Sequence, residues 1–196
     1  MTDIGRRLPV PARLAAWTCG GALAAALLAN VTHADAPPPL EARSGLDIAS
    51  AAAHSWAQDA TLIYLENDEN LDAAGKAPRW GYLFYSATAD KARAYSVRNG
   101  RILTAENLEM KFAAPPVESG WIDSGAALVA AENQVGREFR EKHAGRLATM
   151  LLMRGAFDAE NPNRTTWLLV YTTPDAPSLF VVVDAADGKV RRTWRG

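Results

Sequence analysis

The sequence predicts an α+β fold of two tandem units, each one helix packed on a three- to four-stranded antiparallel meander. The first observation is Trp167 to Val190, WLLVYTTPDAPSLFVVVDAADGKV. It reads as a strand, a turn at Thr173-Pro174-Asp175, a Val- and Phe-rich strand, and a hairpin turn at Asp187-Gly188. The second is that Trp80 to Ile102, WGYLFYSATADKARAYSVRNGRI, follows the same plan. Trp80 to Gly100 spans 20 positions and Trp167 to Gly188 spans 21, so a single gap aligns them. The third is that a segment of helical period and a short strand precede each stretch.

The amino terminus differs from the rest. Arg6, Arg7 and Arg13 precede an uncharged apolar run, Leu14 to Val31, and a small-residue tail, Thr32 to Ala36. That order of regions is an export signal over residues 1–34. A permanent anchor is the alternative, but the run is short for a span and rich in Ala and Gly. Ala34-Asp35-Ala36 offers two cleavage points. Cutting after Ala36 would place Pro37 behind the scissile bond, so Ala34 is favoured. The expected location is periplasmic or secreted. Cys19 is the single cysteine and lies within the apolar run, leaving no disulfide or thiolate chemistry after processing. Residues 1–34 hold three of the 21 basic and one of the 22 acidic residues, so the remainder carries a net charge of −3. A mildly acidic chain argues against nucleic-acid binding.

Residues 35–43, with Pro37-Pro38-Pro39, form an extended leader. The first unit covers 44–107. Its helix runs from Ser44 to Asp59, with Ser44 and Asp47 as a capping box and Ile48, Ala52 and Trp56 on one face. His54 lies off that face. Strand Thr61–Leu65 leads into an acidic loop, Glu66 to Asp72. The loop places Asp68, Asn70 and Asp72 as a calcium loop would, but Ala73 and Arg79 stand where Gly and Glu are needed, so a solvated loop is expected. In Trp80–Tyr85 both faces carry large apolar groups, and something beyond one helix must cover the second: the other unit, a partner subunit or a ligand. Lys91–Arg98 and Arg101–Leu103 form a hairpin through Asn99-Gly100, with Arg93, Arg98 and Arg101 read as edge-strand charge.

Residues 108–123 are the linker, and 124–196 the second unit. Its helix runs from Ser124 to His143, capped by Asp123 or Ser124, with Leu128, Ala131, Val135 and Phe139 as its stripe and Gly145 as the residue past its end. Strands Leu147–Met153 and Lys189–Trp194 flank the Trp167 meander.

A helix followed by a meander, with Trp opening a strand and a terminal D-x-x-[DN]-G-x-[VI] turn, resembles the PepSY and PepSY-like domains. The second unit carries the resemblance best, in its helix Ala126–Lys142, in Trp167-Leu168-Leu169-Val170-Tyr171, and in Asp184-Ala185-Ala186-Asp187-Gly188-Lys189-Val190. In the first unit Ser96-Val97-Arg98-Asn99-Gly100 lacks the leading Asp. The resemblance implies a cystatin-like sheet curled around a helix, an exported bacterial protein, and a role in protease inhibition or envelope regulation. It transfers no catalytic residue.

The sequence holds no nucleophile or metal constellation, and no catalytic, metal or cofactor residue is assigned. The expectation is a non-enzymatic module binding a protein partner in the cell envelope, with Trp80, Tyr82, Phe84, Tyr85 and Arg93 as candidate partner-binding residues. No membrane span is expected after processing, and the second apolar face is compatible with a homodimer. The alternative is a ligand-binding protein or enzyme with a cavity between helix and sheet, drawing on Tyr82, Tyr85, Tyr171 or His54.

Overall fold

The computed structural model describes residues 38–108, 114–157 and 160–196. The segment expected to be an export signal, with its expected cleavage point, lies outside the described residues, as does part of the linker. A 3-10 turn, Ala42–Gly45, leads into α1, Leu46–Trp56. Strands β1 (Thr61–Asn67), β2 (Arg79–Ser86), β3 (Lys91–Arg98) and β4 (Arg101–Asn107) follow. A long helix comes next, built of α2 (Ser124–Ala131), a π-helical turn (Glu132–Gly136) and α3 (Arg137–His143). Strands β5 (Arg146–Arg154), β6 (Thr165–Thr172), β7 (Leu179–Asp184) and β8 (Val190–Arg195) complete the chain. The fold is α+β.

All eight strands form one antiparallel sheet in the order β4-β3-β2-β1-β5-β6-β7-β8. The two meanders therefore join edge to edge, through Tyr64 opposite Met153, Leu65 opposite Leu152 and Glu66 opposite Leu151. Beyond Glu66 the strands diverge and the Asn67 side chain spans the gap. Its amide donates to the carbonyls of Glu69 and Ala148, at 3.0 and 3.2 Å, and its oxygen accepts from the Met150 N–H at 2.7 Å. Bulges recur at matching places. Ile63 is the extra residue of β1 and Ala148 of β5, while Leu103 is that of β4 and Arg191 of β8.

Strand alternation sends one set of side chains toward the helices. Trp80, Tyr82, Phe84, Trp167, Leu169 and Tyr171 share one core with Ala49 and Ala53 of α1, Ala127, Leu128 and Ala131 of α2, and Phe139 of α3. The buried alanines let the helices approach the sheet closely. On the opposite face a smaller cluster of Ile63, Leu83 and Ala92 contains no helix residue, and Tyr64, Tyr85, Leu108 and Ala114 pack against it.

The structure corrects several local expectations. Ser44 does not cap α1; the 3-10 turn takes its place, and Gly45 is the N-cap without a side-chain bond. A Cβ at Gly45 would sit 2.6 Å from the Tyr82 hydroxyl, so a bare backbone is required there. Past α3 it is Ala144, not Gly145, that takes the left-handed conformation (φ 47°). Gly145 instead makes room for the Phe139 ring, 2.7 Å from where its Cβ would stand. Of the three arginines read as edge charge, only Arg101 lies on the edge strand β4. Arg93 and Arg98 lie on β3, bonded to Asn107 and Glu69. The expected capping of the second helix by Asp123 holds, its carboxylate accepting from the Ser124 N–H at 2.8 Å.

Candidate functional site

The candidate partner-binding residues divide by face. Trp80, Tyr82 and Phe84 are buried in the helix-side core, which removes them from any contact surface. The Trp80 indole N–H donates to the Leu40 carbonyl at 2.8 Å, the Tyr82 hydroxyl to the Ala42 carbonyl at 2.6 Å, and Phe84 meets Tyr95 edge-on. Those bonds tie the segment before α1 onto β2. Arg93 points to the same side and is held by Asn107 and the Ala105 carbonyl. Tyr85 alone faces the other way, half-buried, its hydroxyl donating to Asp90 at 2.9 Å. The five residues do not form one site.

The sheet face turned away from the helices does offer a surface beside the Leu108 and Ala114 contacts. Register places Glu66, Gly81, Ser96 and Thr104 side by side across β1, β2, β3 and β4. The neighbouring row is Tyr64, Leu83, Ala94 and Glu106. Small residues in mid-row between larger ones leave a groove of about 250 Å³, bounded also by Asp68 and Leu108. The first row continues across β5, β6, β7 and β8 as Leu151, Leu168, Val182 and Arg192. Beside it, Phe180 and Trp194 stack in parallel with ring centres 4.9 Å apart. Period-two alternation in TLIYLEND already puts Tyr64, Glu66 and Asp68 on one side of β1. The row they join depends on pairing register, which local sequence does not reveal.

Groove electrostatics follow from its hydrogen bonds. The Tyr64 hydroxyl donates to the Glu66 carboxylate at 2.6 Å, and burial together with that bond pushes the Tyr64 phenol up from its ordinary value. Asp68 accepts from Ser96 and lies 3.6 Å from the Arg79 guanidinium, and Arg98 pairs with Glu69. The acidic loop is thus tied to β2 and β3 by its own partners. Asp72 Oδ1 accepts from the Ala74 and Lys76 N–H groups, a turn-closing role rather than a calcium ligand's. Among the described residues no group of three or more His, Cys, Asp or Glu is placed to hold a metal ion.

The D-x-x-D-G turn is a structural device. Asp184 is 2% exposed; Oδ1 accepts from the Ala186 N–H at 2.8 Å, and Oδ2 pairs with Arg164 and, at 2.7 Å, with Arg191. Burial would raise its carboxyl, but the Ala186 bond and the two guanidinium groups hold it below the usual range.

One polar constellation lies between helix and sheet. Glu132, at the start of the π-helical turn, forms a bidentate pair with Arg140, and the buried Tyr171 hydroxyl lies against Gly136. Burial first, then the Glu132 charge, raises the Tyr171 phenol. Glu132 and Arg140 line a pocket of about 180 Å³ with Leu71 and Leu147. Tyr82 and Tyr85 do not join it. His54 is exposed on α1, and the His143 ring lies tilted against Phe139, centres 5.1 Å apart.

No family model and no curated protein matches the sequence. Among solved structures, the chain is similar to one described as a "putative lipoprotein" from Clostridium difficile 630, with a TM-score of 0.52 and 12% identity. The match covers 85% of this chain and 99% of that one, and at that identity it speaks to the fold alone. Among the described residues no helix is long and apolar enough to cross a membrane.

Proposed function

We propose that this protein is an exported, non-enzymatic binding module that recognises a protein partner through the sheet face turned away from its helices. The observation that carries this reading is the segregation of the layers. Both helical segments pack on one side, while Leu151, Phe180 and Trp194 stay partly exposed on the other, beside the Tyr64–Leu83 groove, with Leu168 and Val182 buried between them. A partly exposed apolar strip edged by charge is what protein interfaces present. We read the two halves as PepSY-like repeats joined edge to edge, and the matching bulges and Trp-led strands support that. The junction turns two small sheets into one wide surface.

Against the cavity reading, the Glu132 carboxylate that lines the helix–sheet pocket is already paired with Arg140.

Site-specific photo-crosslinking in the native envelope tests the proposal. A benzoyl-phenylalanine at Phe180 or Leu151 should yield a discrete protein adduct, and one at Val129 or His54, exposed on the helix layer, should not. Adducts from the helix layer alone would overturn it.

A further inference from the structure

We infer that the groove on the first half of the sheet receives an extended basic segment of the partner, with two cationic side chains four residues apart. This rests on the reading of the open face as the recognition surface and names the chemistry of its occupant. The groove runs across the strands, from Glu66 on β1 to Thr104 and Glu106 on β4. Glu66 and Thr104 are three strand spacings apart, about 14 Å, and Glu106, two residues further along β4, is about 16 Å from Glu66. An extended chain advances about 13 Å in four residues, and residues i and i+4 point the same way. One such chain laid obliquely along the groove would set a long cationic side chain within reach of Glu66 at one end and of Glu106 at the other.

The middle of the groove selects the residue between them. Residue i+2 would also point down, onto Gly81, Ser96 and Ala94. A Cβ at Gly81 would lie 2.6 Å from Asp68 Oδ1, so the Asp68 carboxylate, which also accepts from Ser96, already lies over Gly81. Only a small side chain is accommodated beside it. Tyr64, Leu83 and Leu108 supply apolar wall against which the methylene stems of lysine or arginine can lie.

Charge bookkeeping favours a cation. Among the described residues Asp68 and Glu69 are matched by Arg79 and Arg98, while Glu66 and Glu106 have no arginine or lysine in an ion pair. Glu66 is held in place by the Tyr64 hydroxyl before any ligand arrives, and preorganised carboxylates suit guanidinium recognition. A free acidic peptide would meet repulsion at both ends.

The test is fluorescence anisotropy with a short blocked peptide bearing two arginines four residues apart and alanine midway. The chain should bind it, with affinity falling as salt rises. E66Q/E106Q should lose at least about tenfold in affinity, as expected for charge-assisted bonds, while keeping the far-ultraviolet circular dichroism of the parent. Arginines spaced two apart, glutamates in their place, or leucine midway should each bind more weakly. Equal binding to the parent and to E66Q/E106Q, or indifference to the spacing, would overturn the inference. If crosslinks from Phe180 capture a protein while the peptide fails to bind, the groove assignment falls and the partner-binding reading stands. If the peptide binds as described and no open-face crosslink forms in the envelope, the reverse holds.

Discussion

Trp80 and Trp167 meet edge-on at 6.4 Å across the middle of the sheet, each near the start of the strand that follows its half's first strand, second in β2 and third in β6. Each indole N–H donates at 2.8 Å to the carbonyl of a residue preceding its half's helix, Leu40 for Trp80 and Ile122 for Trp167. Trp121 adds a third ring, 5.8 Å from Trp167. The two halves thus share one aromatic centre as well as one sheet.

That shared centre predicts cooperative unfolding. Trp80→Ala and Trp167→Ala should each cost about 3–5 kcal/mol, the range for deleting a buried aromatic. Each variant should unfold in a single transition, with tryptophan fluorescence and circular dichroism coinciding. Separate transitions for the halves would show that the β1–β5 seam does not couple them.

Gly45 predicts a rescue. Gly45→Ala forces a methyl against the Tyr82 hydroxyl and should destabilise by about 1–3 kcal/mol, as overpacking does. Tyr82→Phe alone loses the bond to the Ala42 carbonyl. The double variant should be more stable than the two single losses predict, because the closest clash has gone. Denaturant melts of the four proteins give the coupling; additive losses would contradict the steric account.

Acid stability should depend on two carboxylates. The Ser86 hydroxyl, and then the Thr88 N–H, lower Asp59 to about 2, and the bonds described above lower Asp184. A depressed folded-state value means stability that is complete above the unfolded value near 4 and lost as pH falls toward the folded one. The parent should lose stability between about pH 4 and 2. Asp184→Asn, destabilised at neutral pH by leaving Arg164 and Arg191 without their carboxylate, should show a flatter acid limb. An unchanged slope in urea titrations from pH 5 to 2 would exclude Asp184 from the acid transition.

Much of the architecture was legible because it rests on local signals. Asn99-Gly100 has positive φ at both residues, as its hairpin demands, and strand alternation in Trp80–Tyr85 required two covered faces. Which face the helices would take was not legible, since large side chains lined both, and so buried core residues entered the list of contact residues. The groove was hidden for a different reason. Glu66, Gly81, Ser96 and Thr104 are distant in the chain and meet only through the register of three strand pairs. The π-helical turn and the glycines beside Tyr82, Tyr171 and Phe139 record tertiary clearance, which no local pattern encodes.

The last prediction concerns the seam itself. Asn67 replaces missing backbone pairing between β1 and β5 with both donor and acceptor, so neither half of its amide is dispensable. Asn67→Ala should leave the Met150 N–H and the Ala148 carbonyl without their partner, at a cost of about 1–3 kcal/mol. Asn67→Asp keeps the acceptor for Met150 but turns a second oxygen toward the carbonyls of Glu69 and Ala148, where an N–H stood. At neutral pH the carboxylate should therefore cost at least as much as the alanine. Protonation restores a donor, so its folded-state value should be raised. A raised carboxyl is a deficit present at high pH that shrinks as pH falls through the folded value. Asn67→Asp should then approach the parent near pH 4 while Asn67→Ala does not, by urea denaturation at several pH values. A pH-independent gap between Asn67→Asp and the parent would mean that the side chain does not bridge the strands as donor.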